Sequence, residues 1–279
     1  MSSHPSYLRV FLTFVRNSLV RDMMFPTNFI IETISSIGWV AMNLALYLLI
    51  FNYTDYLGGG EAGAAWSKYE FFVFLATSLL INNLVQMFFM PNAEEFSELI
   101  RTGNLDFALL KPIDTQFLVS LQKVDWSSAA NLVLGLLLLG YALPRIEGFT
   151  PSVTAVLLYP LYLVLGALIM YSIMIALAAT SVWLGRNQSL YDFWFYITNF
   201  ARYPMEIYHG PIGNYLRWTL TFLLPVLVVV NVPARLLAKP FEPESTYLAL
   251  FALVATAASL AASRWLFQRA LLSYRSASS

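Results

Sequence analysis

Residues 153–184 read VTAVLLYPLYLVLGALIMYSIMIALAATSVWL, a run of 32 residues without a charged side chain. A helix that crosses a bilayer needs about 17 to 25 predominantly apolar residues, so this stretch is long enough to span a membrane. Four further uncharged stretches, at residues 33–54, 71–93, 126–144 and 245–263, each have the length of one span. The sequence therefore predicts a protein that lies in a membrane.

The composition agrees with a membrane protein. Of the 279 residues, 58% are hydrophobic and 11% are charged, whereas roughly 25% are charged in a typical soluble domain. Sixteen basic residues balance sixteen acidic ones, so no net charge favours binding to nucleic acid. The chain has no cysteine, which excludes disulfides and thiolate metal sites.

The hydropathy pattern predicts an all-α polytopic fold with one transmembrane domain over residues 1–279. Residues 5–24 form an amphipathic helix, and such a helix lies in the membrane interface. The segment 215–235 is short, and Pro225 and Pro233 each interrupt its helix, so we expect an outer re-entrant helical hairpin there. Six spans are predicted, at about 28–51, 71–91, 126–143, 153–184, 190–208 and 246–267.

The positions of Lys and Arg predict the orientation, because basic residues concentrate in cytoplasmic loops. With six spans and a cytoplasmic N-terminus, ten of the sixteen basic residues lie inside. A seventh span at 218–234 would move the basic tail outside and leave only seven inside. We therefore expect both termini in the cytoplasm and the chain in the cell inner (plasma) membrane. The ten are Arg9, Arg16, Arg21, Arg101, Lys111, Lys123, Arg186, Arg264, Arg269 and Arg275.

The sequence offers no energy source of its own. A phosphate-binding loop needs a Gly-Lys pair, and the chain contains none. The histidines are His4 and His209 alone, without a His-Glu-x-x-His motif, so neither a metal site nor catalysis is expected. A proton-driven pump needs acidic groups deep in the membrane, and Glu32 and Asp192 are the only candidates for that role. We therefore predict a non-catalytic chain without a cofactor.

The most distinctive sequence follows the second span, in the polar segment 92–117. Its centre, residues 94–112, reads EEFSELIRTGNLDFALLKP. The pattern predicts a short acidic helix, a stop at Gly103 and a second short element that ends at Pro112. Two short helices across a cytoplasmic loop make a rigid lever on which a moving partner can push, although an ordinary solvated connector would have a similar composition.

In this segment the chain resembles the permeases of ATP-binding-cassette (ABC) type-2 exporters, in the branch long described only as a domain of unknown function. The resemblance rests on RTGxLDxxLLKP at residues 101–112, with RYP at 202–204 as a second match. The order of elements also agrees over nearly the whole chain.

The resemblance implies that the segment is a coupling helix that docks on a separate ABC ATPase subunit, which would hold the ATP and Mg. The N-terminal helix would be a second contact, and two permease subunits, identical or paralogous, would enclose the substrate path. The residues assigned to coupling are Glu94, Glu95, Glu98, Arg101, Gly103, Leu105, Asp106, Leu109 and Lys111.

Polar residues in the fifth predicted span form a stripe. They recur at steps of four and three residues, which places them on one face of a continuous helix, and polar groups inside a membrane prefer a cavity or the protein interior. We predict that the stripe lines the translocation path, and the alternative is a helix interface with an Arg202–Glu206 pair. The candidate path residues are Asp192, Tyr196, Asn199, Arg202, Tyr203 and Glu206.

Four amide residues in the first two spans are a further polar group. They are Asn43, Asn82, Asn83 and Gln86. Such residues often bond one helix to another, and lining a path is the alternative.

The sequence thus predicts the permease subunit of an ABC exporter that moves a small amphipathic substrate out of the cell by alternating access. A cationic or drug-like substrate would suit the tyrosines through cation–π attraction. A proton-coupled secondary transporter or a channel-like protein is the alternative function.

Overall fold

The fold is almost entirely helical. The structure, a computed structural model, describes residues 6–24, 26–58, 65–148, 152–184, 188–240 and 243–274, with the backbone alone at 28, 188–193 and 243–245. The α-helices of this part are α1 Tyr7–Met23, α2 Pro26–Ile50, α3 Lys68–Phe88, α4 Met90–Thr102, α5 Leu105–Leu109, α6 Thr115–Leu121, α7 Ala129–Ala142, α8 Val153–Ala179, α9 Ser181–Leu184, α10 Gln188–Asn199, α11 Gly210–Trp218, α12 Val226–Ala238 and α13 Pro243–Ser273. The all-α prediction is confirmed.

The strand content of the described chain is one small hairpin. Strands β1 (Tyr56–Leu57) and β2 (Trp66–Ser67) pair antiparallel between α2 and α3. The hairpin leads directly into α3, whose first turn is capped because the Ser67 backbone N–H donates to Glu70 Oε2 at 2.8 Å. This reciprocal use of Ser and Glu is a capping box.

Four helical stretches of the described chain are long and apolar enough to cross a bilayer. They are residues 29–50, 68–102, 153–184 and 246–273. A fifth candidate is the bent pair of residues 210–223 and 226–238, and residues 129–145 form a shorter apolar helix. The chain is therefore polytopic.

The two prolines of the predicted re-entrant segment behave differently. At Pro225 the direction of the helix changes by 87°, which agrees with the prediction. Pro233, in contrast, lies inside α12, which continues to Ala238, so the predicted interruption there is wrong. Proline removes one backbone donor, and α12 tolerates that loss because it is buried along its length against α3, α8 and α13.

The predicted helix 190–208 is not continuous. Helix α10 ends at Asn199, and a 3₁₀ turn follows over Phe200–Arg202. Tyr203 is then extended, with φ −120° and ψ 144°, because the residue before a proline avoids the helical region. A second 3₁₀ turn, Met205–Ile207, follows Pro204.

Helix α3 lies at the centre of the molecule. It packs against α7, α8 and α12, and its apolar stretch is mostly buried, whereas that of α2 is mostly exposed. Its N-terminal half carries the aromatic core, in which Phe71 packs on Tyr47 of α2 with ring centroids 4.7 Å apart. Helix α3 therefore forms the central axis of the fold, and each of the two ends of the molecule lies near one end of α3.

Candidate functional site

The segment predicted to couple to an ATPase consists of α4 and α5. Helix α4 continues the direction of α3 within one helical stretch and ends at Thr102, where Gly103 adopts φ +73°. This left-handed conformation favours glycine, so the predicted stop at Gly103 is confirmed. Helix α5 follows directly and ends before Pro112.

One face of this segment is fixed to the rest of the protein. Phe96 is fully buried and its ring centroid lies 5.3 Å from that of Phe267 in α13. Leu105 is also fully buried, and Glu95 Oε1 forms an ion pair with Lys123 Nζ at 2.9 Å. Glu95 and Leu105, two predicted coupling residues, thus hold the segment in place from within.

The opposite face of the segment is exposed. It carries the charges of Glu94, Lys111 and the ion pair between Glu98 and Arg101. It also carries two large apolar side chains that sequence reasoning did not single out: Phe107 is 68% exposed and Leu110 is 82% exposed. Leu109 is 40% exposed and Asp106 is half-buried.

Helix α1 packs on the same end of the molecule. The Val124 backbone N–H donates to Ser18 Oγ at 3.0 Å, and Trp126 Nε1 donates to the Val15 carbonyl at 3.3 Å. The Tyr7 ring meets Phe117 of α6 edge to face at 4.9 Å. The predicted amphipathic helix therefore exists and lies beside the coupling segment.

An ion pair joins α13 to the start of α6. Arg264 Nη2 donates to Asp114 Oδ2 at 2.6 Å, and Arg264 Nη1 donates to Gln116 Oε1 at 3.0 Å. Partial burial raises the pKa of the Asp114 carboxyl, but the Arg264 guanidinium and the Phe117 backbone N–H outweigh it, so the pKa lies below its ordinary value of 3.8. Asp114 is therefore ionised at neutral pH.

At the other end of the molecule, Glu206 is buried in a network that the sequence did not reveal. Its Oε2 accepts from Trp66 Nε1 at 2.8 Å, and its Oε1 accepts from Arg235 of α12. Lys239 Nζ donates to the Ala65 carbonyl at 2.6 Å and lies 4.9 Å from the centroid of the Trp66 ring. This network fixes the β1–β2 hairpin to the end of α12.

The predicted polar stripe is not one face. Because α10 ends before Pro204, Tyr203 and Glu206 leave the helical register of Tyr196 and Asn199. The alternative Arg202–Glu206 pair is also wrong, because Glu206 pairs with Arg235 instead. Tyr196 and Tyr203 are exposed and Asn199 is half-buried, while the side chain of Asp192 lies outside the described residues.

The structure brings Arg202 together with the amides of the first two spans. They share a cleft of about 420 Å³ between α2, α3 and α7. Asn131 and Tyr47 also line it, and neither was predicted as a site residue. The amide and guanidinium side chains that line the cleft are those of Asn43, Asn82, Asn83, Gln86, Asn131 and Arg202.

Metal-binding chemistry is not supported by the described chain. Within its described ranges, no group of three or more His, Asp or Glu side chains is arranged to hold a metal ion.

Several long apolar helices, with the charged segment of α4 and α5 at one end of the fold, define a polytopic membrane protein. A family model described as "ABC-2 family transporter protein" matches residues 37–278. The chain therefore belongs to the ABC-2 transporter family and is an ABC transporter permease, a kind of membrane component that is generally non-catalytic. The resemblance seen at residues 101–112 and 202–204 is confirmed. Comparisons with curated proteins and with solved structures gave no match.

Proposed function

We propose that this chain is the permease subunit of an ABC exporter, which moves a small amphipathic substrate out of the cell by alternating access. Separate ABC ATPase subunits would hydrolyse ATP and dock on α4 and α5. The observation that carries this proposal is the exposure of Phe107 and Leu110 at the tip of a charged segment. Large exposed apolar side chains within a polar rim are typical of a protein–protein contact.

The buried face of the segment supports a mechanical role. Leu105 anchors α5, and Phe96 of α4 packs on Phe267 of α13. A force applied at α5 would therefore reach α3, which α4 continues, and α13 together. The predicted coupling residues then divide into anchors, such as Glu95 and Leu105, and contacts, such as Glu94, Glu98, Arg101, Leu109 and Lys111.

We place six spans in the membrane, formed by α2, α3, α7, α8, α10 and α13. The bent pair of α11 and α12 would be a re-entrant hairpin on the outer side. In support, three of the basic residues expected in the cytoplasm lie at one end of the fold: Arg21 contacts the Val124 carbonyl, Lys123 pairs with Glu95, and Arg264 pairs with Asp114. Both termini would then be cytoplasmic in the cell inner membrane.

A second permease subunit would complete the substrate path. Helix α2 presents exposed apolar side chains along much of its length, among them Ile30, Ile34, Met42 and Leu49. Neighbouring α7 is short and leaves the cleft beside α2 open. A dimer contact along α2 would place the two clefts near the subunit boundary.

Copurification tests the proposal. The chain is extracted from its native membrane in mild detergent, and we expect an ABC ATPase subunit to copurify and to hydrolyse ATP. A Phe107→Asp, Leu110→Asp double variant should lose the ATPase, because both side chains are exposed and are not needed for folding. Tyr53→Asp is the matched control, since Tyr53 is 86% exposed at the opposite end. Purification of the wild type without any ATPase would overturn the proposal.

A further inference from the structure

The cleft between α2, α3 and α7 is polar but carries one sign of charge. Among the described residues that line it, Arg202 is the only cation, and the remaining polar lining consists of amides, hydroxyls and the Tyr47 and Trp39 rings. None of the described lining residues is acidic. A volume of about 420 Å³ lies within the roughly 300–1,000 Å³ of small-molecule sites.

Arg202 lacks a counter-charge in the described structure. It is half-buried, and no carboxylate of the described residues forms an ion pair with it. Its guanidinium lies near the ring of Phe195, whose centroid is 5.7 Å from Cζ, and interacts electrostatically with Tyr47. In the six-span arrangement proposed above, Arg202 lies at the end of the fifth span, where an arginine is costly unless it is paired. The chemistry of the cleft then favours an anionic group beside Arg202.

Asn131 gives an independent indication of a ligand. Its side chain is only 8% exposed, and its Oδ1 is buried without a hydrogen-bond partner. A buried acceptor without a partner is unfavourable, and Asn131 is among the residues that line the cleft. It needs a donor, which a hydroxyl or N–H group of a bound molecule would supply.

Three further amides leave acceptors in the cleft. Asn43, Asn82 and Asn83 each donate from Nδ2 to the backbone carbonyl four residues earlier, at 2.7–2.9 Å. Their Oδ1 atoms remain as acceptors. The cleft therefore combines one cation with several acceptors, which matches a molecule that carries an anion and hydroxyl groups together.

The apolar surroundings indicate where the rest of such a molecule would lie. Trp39 and Leu46 of α2 are both more than half exposed, and Trp39 also lines the cleft. A hydrocarbon tail would pack on this surface while the polar head enters the cleft. An amphipathic molecule fits better than a free polar anion.

We propose that this cleft binds the hydroxylated anionic head group of an amphipathic molecule, with the anion at Arg202 and a hydroxyl at Asn131. The molecule is either the transported substrate or a resident lipid. That the molecule is the transported substrate rests on the permease function proposed above, whereas its binding in the cleft does not. The proposal replaces the cationic substrate expected from the tyrosines.

The test is a binding measurement on the purified chain without an ATPase. Lysophosphatidylglycerol supplies an anion with hydroxyls, and lysophosphatidylcholine of the same acyl length is the zwitterionic reference. We expect the wild type to bind the glycerol lipid roughly tenfold or more tightly, because a hydrogen bond to a charged group contributes about 1.5–3 kcal/mol. Arg202→Gln should abolish the preference and Arg202→Lys should restore most of it. Arg217→Gln, which changes a half-buried arginine outside the cleft, should retain it.

A second variant separates binding from folding. Asn131→Leu removes the unpaired buried acceptor, so the ligand-free chain should become more heat-stable. The variant should bind lysophosphatidylglycerol more weakly than the wild type does. Its affinity for lysophosphatidic acid, which lacks the terminal glycerol, should change little. Equal affinity of the wild type for lysophosphatidylglycerol and lysophosphatidylcholine, or a preference for lysophosphatidylglycerol that survives Arg202→Gln, would overturn the proposal. Displacement of the lipid by millimolar inorganic phosphate would overturn its amphipathic part.

ATP hydrolysis by the complete complex distinguishes the two sources. Stimulation by lysophosphatidylglycerol supports a transported molecule, and binding without stimulation supports a resident lipid. Because binding is measured on the chain alone, a failure to copurify an ATPase leaves this result unaffected.

Discussion

Among single residues, Glu206 is a buried carboxylate of the described chain that pairs with a buried arginine. It is buried beside Trp66 and Arg235, and its carboxylate accepts from both. Removing one partner of a buried pair leaves the other charge without compensation. The cost is then set by the remaining Arg235 more than by the lost hydrogen bonds.

We therefore expect Glu206→Ala to lower the free energy of unfolding by about 3–5 kcal/mol, as followed by thermal denaturation in detergent. Replacing both residues, Glu206→Met with Arg235→Met, should cost less than Glu206→Ala alone. Glu98→Ala is the control, because the Glu98–Arg101 pair is exposed and exposed pairs contribute little to stability. Equal losses from Glu206→Ala and Glu98→Ala would refute a buried, coupled pair.

Asp114 predicts a pH dependence at the opposite end. Its pKa is lowered in the folded chain, so its pair with Arg264 contributes stability above the unfolded pKa of about 3.9 and loses it as the pH falls through the lower folded value. Asp114→Asn should lower stability by a nearly constant amount between pH 6 and 8 and flatten the fall in stability below about pH 5. Denaturation midpoints across this range check the prediction, and a variant that loses its pH dependence at neutral pH instead would contradict it.

The structural role of a residue could be predicted from the sequence only where it depends on neighbours in the chain. Gly103 was found because the helix pattern stops beside it. Arg235 and Trp66 were missed as partners of Glu206, since 29 and 140 residues separate them in the chain. Asn131 was missed because an amide in an apolar helix has no sequence signal that tells a satisfied side chain from an unsatisfied one.

At the scale of helices, α8 and α12 approach each other closely at Gly166. A methyl group added at Gly166 would lie 2.9 Å from the Val229 carbonyl oxygen and 3.1 Å from Val229 Cγ1. That carbonyl is also the one that Pro233, four residues later, cannot reach with a backbone donor. Small residues allow such close approach between helices in membranes.

Gly166→Ala should therefore push α12 away from α8 and lower the free energy of unfolding by about 1–3 kcal/mol. Gly140→Ala is the matched control, because nothing lies within 4 Å of a methyl group there and alanine favours a helix. Both variants are compared by thermal denaturation in the same detergent. Equal stability of Gly166→Ala and the wild type would show that α8 and α12 are not in close contact.

The helical elements were largely predictable, since long uncharged runs leave few alternatives. The failures both concern proline. The sequence prediction carried a helix through Pro204, where the chain breaks, and broke one at Pro233, where it continues. A missing backbone donor breaks a helix only if the neighbouring packing does not hold it, and that packing comes from distant parts of the chain.

The whole molecule has two chemically different ends. One carries α1, the coupling segment and the Arg264–Asp114 pair, and the other carries the Glu206 network beside the β1–β2 hairpin. Composition alone predicted the class of protein, and the motif at 101–112 predicted the family. Which side chains of the coupling segment face outward depends on the packing of α4 against α13, so Phe107 and Leu110 could not be singled out.

The most direct measurement is a crosslink from the tip of the coupling segment. The chain has no cysteine, so Leu110→Cys introduces its only thiol, to which a photoreactive crosslinker is attached in native membranes. We predict a crosslinked product with an ABC ATPase subunit, formed in different yield with and without ATP, and no such product from Tyr53→Cys. A thiol at 110 that is labelled from outside the cell, or that links to no ATPase, would contradict the account.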